Sequence, residues 1–326
     1  MRLLAAIAFT LAASVLPALA ADTQSAGREQ SEALLAGNFE GVWEDMTPQM
    51  QQAFGTIEGL KSFGAALERD FGTEVEVVSE AVQPGGPGVE LYVRTSKWSA
   101  IEAPILMQWA FDAQFKVVGF LVQPVATLAD SRFLEYQTKA ELRLPVTDEW
   151  FVVWGGRTLE QNYHAADRAQ RFATDMLIFR DGVTHSGDAG KLESYYCWDQ
   201  PILSPGAGTV VTAVNDLPDN PIGETDPRNP AGNHVVIDLG NSEFAFLGHM
   251  RQGSVAVAAG DTVAAGEELG RCGNSGNTSE PHLHMHLQTT TDLATGEGLP
   301  AQFIGYFADG VVVARGEPQA GQFVSR

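Results

Sequence analysis

The chain has 326 residues, 44% hydrophobic and 19% charged, which suits two folded domains and excludes a disordered chain. Its 41 acidic and 20 basic residues give a net charge of −21, so there is no excess of basic residues for a surface that binds nucleic acid or anionic lipid. We therefore expect neither partner. The composition leaves the oligomeric state open.

Residues 1–20 predict a secretory signal peptide. Met1-Arg2 precedes an apolar run over residues 3–15, and the small residues Ala18-Leu19-Ala20 are typical of a cleavage site. The run is too short for a membrane anchor, and no later stretch is apolar and long enough to span a bilayer. We expect a mature protein without a membrane span, secreted across the cytoplasmic membrane to the periplasm or the extracellular space.

Residues 21–125 predict a small α+β accessory domain. Apolar residues recur every three or four positions over residues 31–46, and again from Leu60 to Phe71, as in amphipathic helices. Between these stripes, Thr47-Pro48 is typical of a helix start.

After Gly72 the hydrophobic period becomes two, which indicates strands, and residues 105–111 and 115–122 predict a hairpin. In its order of elements the domain resembles the cone-shaped NTF2-like domains. It contains no histidine, cysteine or glycine-rich phosphate loop, which favours a positioning or partner-binding role.

Residues 126–149 are interpreted as a connector, and residues 150–326 as an all-β domain. Glycine and proline separate short β runs in this region, a punctuation typical of a sandwich or barrel. The predicted runs are residues 209–214, 234–239, 244–247, 254–258 and 268–270. The turn units between Val257 and Gly266 resemble those of lipoyl-like barrel-sandwich domains.

All seven histidines lie in the predicted all-β domain. They are His164, His185, His234, His249, His282, His284 and His286. Histidine is the commonest metal ligand and transfers protons near neutral pH, so we expect the chemistry of the protein in this half.

Three of these histidines, His282, His284 and His286, alternate along one predicted strand and therefore share a face. A polar row facing solvent, or core histidines with hydrogen-bond partners, would give the same pattern. The glycine-rich polar loop over residues 273–280 favours a functional interpretation, since such loops often border a cleft.

From His164 to Leu287 the sequence resembles the lysostaphin/LytM-type zinc metalloendopeptidases, which cut peptidoglycan peptides. The matching segments, in the family's order, are Asn162-Tyr163-His164, residues 171–175, 201–211, 232–238, Leu247-Gly248-His249-Met250, the turns at Gly260 and Gly266, residues 273–276 and Pro281-His282-Leu283-His284. The resemblance implies a LytM-type fold and one Zn²⁺ per chain.

The resemblance assigns His164, Asp175 and His284 as zinc ligands, with water in the fourth position. Most of the family has three residues between the first histidine and the aspartate, whereas His164 and Asp175 have ten. A rival pair is His185 and Asp188. We prefer the first pair because residues 172–175 are typical of a strand, whereas the surroundings of His185 are typical of a surface loop.

By the same resemblance, His282 is the expected general base and His249 stabilises the oxyanion or passes a proton, although the sequence does not separate acid from base. His286 is either a hydrogen-bond partner of a ligand or a strand histidine facing solvent. His234 is interpreted as structural or cleft-lining.

The two cysteines, Cys197 and Cys272, are expected to form an intrachain disulfide in an oxidising compartment. Zinc ligation by their thiolates is the weaker alternative, because closely spaced cysteine or histidine partners are missing.

The sequence thus predicts a secreted zinc endopeptidase that hydrolyses peptidoglycan peptides by attack of a zinc-bound water. The alternative is a non-catalytic LytM-like protein that binds or activates other wall hydrolases. A lipoyl carrier is excluded, because Lys191 is the one lysine after residue 150 and lies outside the turn units.

Overall fold

A computed structural model describes residues 17–86 and 88–326 of the chain. Residues 1–16 of the predicted signal peptide, which spans residues 1–20, therefore lie outside the described residues. The chain divides into two units, Met1–Ala126 and Thr127–Arg326, and each is described by itself. Within the described ranges, no helix is both long enough and apolar enough to cross a membrane.

The first unit is built from helices followed by one antiparallel sheet. The helices are α1 (Pro17–Leu35), α2 (Phe39–Asp45), α3 (Pro48–Phe54) and α4 (Ile57–Phe71). The strands are β1 (Glu74–Gly86), β2 (Val89–Trp98), β3 (Ile101–Asp112) and β4 (Val117–Pro124), paired in chain order as a meander. The predicted α+β class and the hairpin around residues 112–114 are confirmed.

The predicted continuous helix over residues 31–46 is wrong, because the chain turns between α1 and α2. Gly37 has a φ of 76°, a left-handed conformation that ends a helix and that glycine adopts without a steric penalty. The side chain of Asn38 then accepts a hydrogen bond from the Gly41 amide and caps α2. The apolar stripe continues across this turn, which is why periodicity alone did not reveal it.

The second unit is almost entirely β. Its strands are β5 (Trp150–Trp154), β6 (Thr174–Leu177), β7 (Pro201–Leu203), β8 (Gly208–Val214), β9 (Asn233–Asp238), β10 (Phe244–Met250), β11 (Thr262–Val263), β12 (Glu268–Arg271), β13 (Leu283–Gln288), β14 (Gly298–Leu299), β15 (Phe303–Ala308), β16 (Val311–Gly316) and β17 (Phe323–Ser325). Eleven of them form one sheet, in which β10, β13 and β6 lie side by side.

Four of the five β runs predicted here correspond to strands, whereas residues 254–258 do not form one. The amides of this segment bond to mixed partners: Val255 to the Asn215 side chain, Ala256 to the Leu269 carbonyl and Ala258 to the Asp261 side chain. Side-chain acceptors replace part of the backbone ladder, so the segment does not form a strand.

Much of the segment between the predicted domains packs into the second unit. Leu142, Leu144 and Val146 are buried in its core. The fully buried carboxylate of Glu243 accepts hydrogen bonds from the Tyr136 hydroxyl at 2.9 Å and from the amides of Lys139 and Ala140 at 2.6 and 2.8 Å. Glu243 therefore anchors this segment to the sheet.

Replacing Glu243 with leucine is expected to lower the free energy of unfolding of the second unit by about 3 kcal/mol, because three donors lose their acceptor. Urea denaturation of the full chain should move the transition of this unit to lower urea and leave that of the first unit in place. Glu267→Leu is the matched control, since exposed Glu267 accepts a single backbone amide, from Ala264. Equal effects of the two substitutions would contradict the anchoring role.

Candidate metal centre

The candidate site lies where three neighbouring strands of the large sheet bring polar side chains to one face. In the strand register, His284 of β13 is opposite Asp175 of β6 on one side and Gly248 of β10 on the other. His164 comes from a 3-10 turn, Tyr163–Ala166, that precedes β6. Residues separated by 120 positions in sequence therefore meet.

His164, Asp175 and His284 each offer one ligand atom, and these atoms lie within 4.8 Å of one another. Asp175 Oδ1 is 2.8 Å from His284 Nδ1, and Asp175 Oδ2 is 3.6 Å from His164 Nε2. All three side chains are buried. Two imidazoles and a carboxylate are a ligand set typical of catalytic zinc sites, which keep one position open.

Asn162 holds the His164 ring in one tautomer. The Asn162 amide group donates to the carbonyls of Gly156 and Ala173 at 3.1 and 2.9 Å, so its oxygen faces the ring. His164 Nδ1 must then donate to that oxygen, at 2.9 Å. The lone pair of Nε2 is consequently turned towards Asp175 and is available to a metal.

A chain of hydrogen bonds along β13 fixes the tautomer of His284 in the same way. Gln288 Nε2 donates to the carbonyls of Thr290 and Asp292, both at 2.8 Å, so Gln288 Oε1 faces His286 and accepts from its Nε2 at 3.2 Å. His286 Nδ1 is then an acceptor, and His284 Nε2 donates to it at 2.9 Å. The Nδ1 lone pair of His284 is left facing Asp175.

This tautomer assignment makes the site suited to a cation. His284 Nδ1 and Asp175 Oδ1 are both acceptors, and at 2.8 Å they require a proton or a metal ion between them. Zinc binding would displace that proton, as metal binding to imidazole and carboxylate ligands generally does. The donor set of this chain therefore fits the zinc that the resemblance implies.

His249 reaches the same face only through an irregularity in β10. The register between β9 and β10 shifts between Leu247 and Met250, and His249 has a φ of 61°, which is uncommon for a residue with a side chain. Such bulges redirect side chains next to functional sites. The His249 ring lies 4.7 Å from that of His282 and 5.7 Å from that of His284, centroid to centroid.

Two glycines allow a neighbouring loop to orient the His249 ring. His249 Nδ1 donates to the Ser275 carbonyl at 2.9 Å. A Cβ on Gly232 would lie 2.1 Å from that carbonyl oxygen, and one on Gly276 would lie 2.4 Å from the Gly232 amide nitrogen. This close backbone approach needs both glycines.

His282 lies at the more open side of the site. Its Nδ1 donates to the Glu280 carbonyl at 2.9 Å, so its Nε2 presents a lone pair. That Nε2 is 3.7 Å from Asp175 Oδ2. The ring can accept a proton from a molecule in the cleft and remain close to a carboxylate.

Burial disfavours the charged form of His164 and His249, whereas the neighbouring histidines favour the ionised form of Asp175. Loss of water lowers the pKa of His164 to about 4 and that of His249 well below its usual range. Burial opposes ionisation of Asp175, but His164, His282 and His284 together hold the pKa of its carboxyl well below the usual range. Neutral imidazole and ionised carboxylate are the forms that bind zinc.

The remaining sequence candidates lie apart from this cluster. His185 packs against Tyr195 at a ring distance of 5.3 Å, and the exposed Asp188 is 3.8 Å from Lys191. His234 Nδ1 donates to the Gly232 carbonyl at 2.7 Å. Among the described residues, the one His/Cys/Asp/Glu group compact enough for a metal is His164, Asp175 and His284.

Sequence reasoning did not assign roles to Asn162 or Gln288. Gln288 continues the alternation of His282, His284 and His286 by one further step, so the pattern carried a signal for it. Asn162 lies in the first segment that carries the family resemblance, but its role was not predictable, because its partners are backbone carbonyls brought close by the fold.

The predicted disulfide between Cys197 and Cys272 is confirmed. Cys272 also forms a β-bridge with Met250, the residue after His249. The disulfide therefore supports the strand end and the loop that border the site.

Part of the second unit is similar to known peptidases. Residues 195–296 match peptidase family M23, which confirms the lysostaphin/LytM-type resemblance. The matched segment contains His249, His282 and His284. His164 and Asp175 lie before it, and their inclusion in the site rests on the geometry above.

The chain is 33% identical over 87 residues to the peptidoglycan DD-endopeptidase ShyA of Vibrio cholerae serotype O1. The aligned stretch is 27% of this chain and 17% of ShyA, so the chain spans about a sixth of the curated relative it matches.

Similar solved structures include two peptidases. The catalytic domain of lysostaphin from Staphylococcus simulans has 17% identity and a TM-score of 0.29, covering 46% of this chain and 88% of that one. A zinc-containing peptidase from Vibrio cholerae has 16% identity and a TM-score of 0.30, covering 61% and 53%.

Replacing Gln288 with methionine is expected to lower zinc affinity by about 10- to 100-fold, because the hydrogen-bond chain would no longer select the His284 tautomer with a free Nδ1. Competition with a chromophoric zinc chelator measures this affinity. Gln302→Met is the control, since Gln302 also bonds backbone groups, those of Tyr136 and Thr138, outside the site. Unchanged zinc affinity in the Gln288 variant would contradict the assignment.

The metal-free protein is expected to lose stability as the pH falls from 6.5 towards 4.5. Burial lowers the pKa of His164, His249 and His286, so the unfolded chain takes up protons in this range and the native state does not. Each histidine contributes about 1.4 kcal/mol per pH unit, and the three together about 3 to 4 kcal/mol between pH 6 and pH 5.

Urea denaturation of the second unit in the presence of a chelator measures this dependence. A transition midpoint that stays constant between pH 7 and pH 5 would show that these rings are not held neutral.

Proposed function

We propose that the second unit is a zinc-dependent endopeptidase that hydrolyses peptide bonds of bacterial peptidoglycan. The observation that carries the proposal is the convergence of His164, Asp175 and His284 on one buried face, with His249 and His282 beside them. The match to peptidase family M23 supports peptidase chemistry. The name of the curated relative, a peptidoglycan DD-endopeptidase, supports the choice of substrate.

In this proposal zinc is held by His164 Nε2, a carboxylate oxygen of Asp175 and His284 Nδ1. When bound, zinc supplies a Lewis acid that polarises a carbonyl and lowers the pKa of water to roughly 7. The chain itself supplies ligands fixed in the correct tautomer before the metal arrives. Preorganised ligands of this kind reduce the rearrangement that binding requires.

His282 is assigned as the group that takes the proton of the attacking water. Its Nε2 lone pair faces the site, and its side chain is 14% exposed, so a substrate can approach it. The imidazolium that forms would lie 3.7 Å from the Asp175 carboxylate, which stabilises the positive charge.

His249 is assigned as the second proton-transfer group. Its Nδ1 is committed to the Ser275 carbonyl, so its neutral ring presents Nε2 as an acceptor towards the site. It can stabilise a developing oxyanion or protonate a leaving amine only after gaining a proton. The neighbouring His282 ring is the closest source of one along this face.

The alternative is a non-catalytic protein that binds or activates other wall hydrolases. Hydrogen bonds at Asn162 and at Gln288 fix the tautomers of His164 and His284 and turn their ring nitrogens towards Asp175. A protein that no longer bound a metal would not need these hydrogen bonds. Their presence favours the enzyme.

The first unit is proposed to be an accessory domain that positions the enzyme or binds a partner. We propose further that this unit resembles the NTF2-like cones and that the second unit has a lipoyl-like architecture. Secretion by means of a cleaved signal peptide is also part of the proposal. The disulfide agrees with action outside the cytoplasm, where such bonds persist.

Replacing Asp175 or His284 with alanine is expected to abolish tight zinc binding and wall-peptide hydrolysis, because two ligands do not hold the ion. Metal analysis after dialysis and release of soluble fragments from purified peptidoglycan measure the two effects. His185→Ala is the control and should keep both properties. If the His185 variant lost zinc and the Asp175 variant retained it, the ligands would be His185 and Asp188 instead.

His282→Ala should bind zinc at full occupancy and lose at least a hundredfold in turnover, since it removes the proton acceptor while leaving the ligands in place. Full activity of this variant would overturn the role of His282. Zinc-loaded wild-type protein that leaves both peptidoglycan and its isolated peptides intact would favour the non-catalytic alternative.

A further inference from the structure

A cavity of about 620 Å³ lies in the second unit, between the segment that follows Thr127 and the loop that leads from His164 to Asp175. Three guanidinium groups line it, those of Arg132, Arg168 and Arg171. The chain has a net charge of −21, so a cluster of three positive side chains is unusual for it.

Two of these arginines, Arg132 and Arg168, share one carboxylate, that of Glu297. Buried Glu297 receives Arg132 Nε at 3.0 Å and Arg168 Nη2 at 2.8 Å on one oxygen, and the Arg132 amide at 3.0 Å on the other. Both carboxylate oxygens of Glu297 are therefore engaged. Neither contacts Arg171.

Arg171 has no carboxylate partner among the described residues, although it is only 5% exposed. Its Nη1 makes two long hydrogen bonds, at 3.3 and 3.4 Å, to the carbonyls of Arg157 and Ala165. Its Nε is buried without a partner. An unpaired buried charge is costly, and an arginine fork suits a planar anion.

The rest of the lining narrows the class of anion. Asp130 and Glu297 oppose the three arginines and leave one net positive charge, which suits a monoanion better than a dianion. Leu128 and Leu134 line the same cavity and are 47% and 41% exposed, so an apolar group could cover them.

We propose that this cavity binds a monocarboxylate that carries a small apolar group, of the kind found at the C-terminus of a peptide, with the carboxylate on Arg171. The site is separate from the metal centre and does not depend on the proposed peptidase activity. It adjoins the metal centre in sequence, because Arg171 bonds the carbonyl of Ala165, the residue after His164.

Calorimetric titration of the mature full-length chain tests the proposal with four probes: N-acetylalanine, N-acetylalaninamide, acetate and inorganic phosphate. N-acetylalanine should bind with one site per chain. The amide, which lacks the charge, and acetate, which lacks the apolar group, should each bind at least tenfold more weakly. Phosphate that binds more tightly than N-acetylalanine would overturn the ligand class.

Arg171→Gln should weaken N-acetylalanine binding at least tenfold. Arg315→Gln is its control, because exposed Arg315 also donates to a backbone carbonyl, that of Thr138, but outside the cavity. A carboxylate bound at the metal centre would remain bound in the Arg171 variant, and that result would overturn the proposal.

A second pair of variants leaves Arg171 in place in case its replacement prevents folding. Leu134→Glu puts a negative charge beside the cavity and should weaken binding more than the uncharged Leu134→Gln. Equal affinities of these two variants would also overturn the proposal.

Discussion

The arrangement of the site in the second unit depends on one buried carboxylate, that of Asp175. Asp175 is 2% exposed, and a charge so removed from water requires compensation by neighbouring groups. His164, His282 and His284 all approach it within 3.7 Å. All three rings turn a lone pair towards it, which a carboxylate tolerates only across a proton or a metal ion. The geometry of the protein around Asp175 is therefore that of a cation site.

The orientation and tautomer of these rings depend on the groups that hydrogen-bond to them. Backbone carbonyls orient the amides of Asn162 and Gln288, and these amides in turn determine which ring nitrogens are free. His249 is oriented differently, by a strand bulge and by the Ser275 carbonyl. The free-energy cost of burying these polar groups is offset by hydrogen bonds from several loops and strand ends. The sheet can therefore hold a buried cluster of histidines around Asp175.

Sequence patterns predicted the strand of alternating histidines and the helix start at Thr47, because both depend on local spacing. The single helix over residues 31–46 was wrong, since hydrophobic periodicity continues through the turn at Gly37. In the site, the family resemblance directed attention to His164 despite an unusual spacing to Asp175. The conformation of His249 could not be predicted, because it arises from a register shift between strands rather than from any local preference.

We infer that His164, Asp175 and His284 surround one zinc ion in the loaded protein. A crystal structure of the zinc-loaded protein, with anomalous data collected on both sides of the zinc absorption edge, tests it most directly. We expect one anomalous peak bonded to His164 Nε2, an Asp175 oxygen and His284 Nδ1. A peak on His185 and Asp188, or a His284 bonded through Nε2, would contradict it.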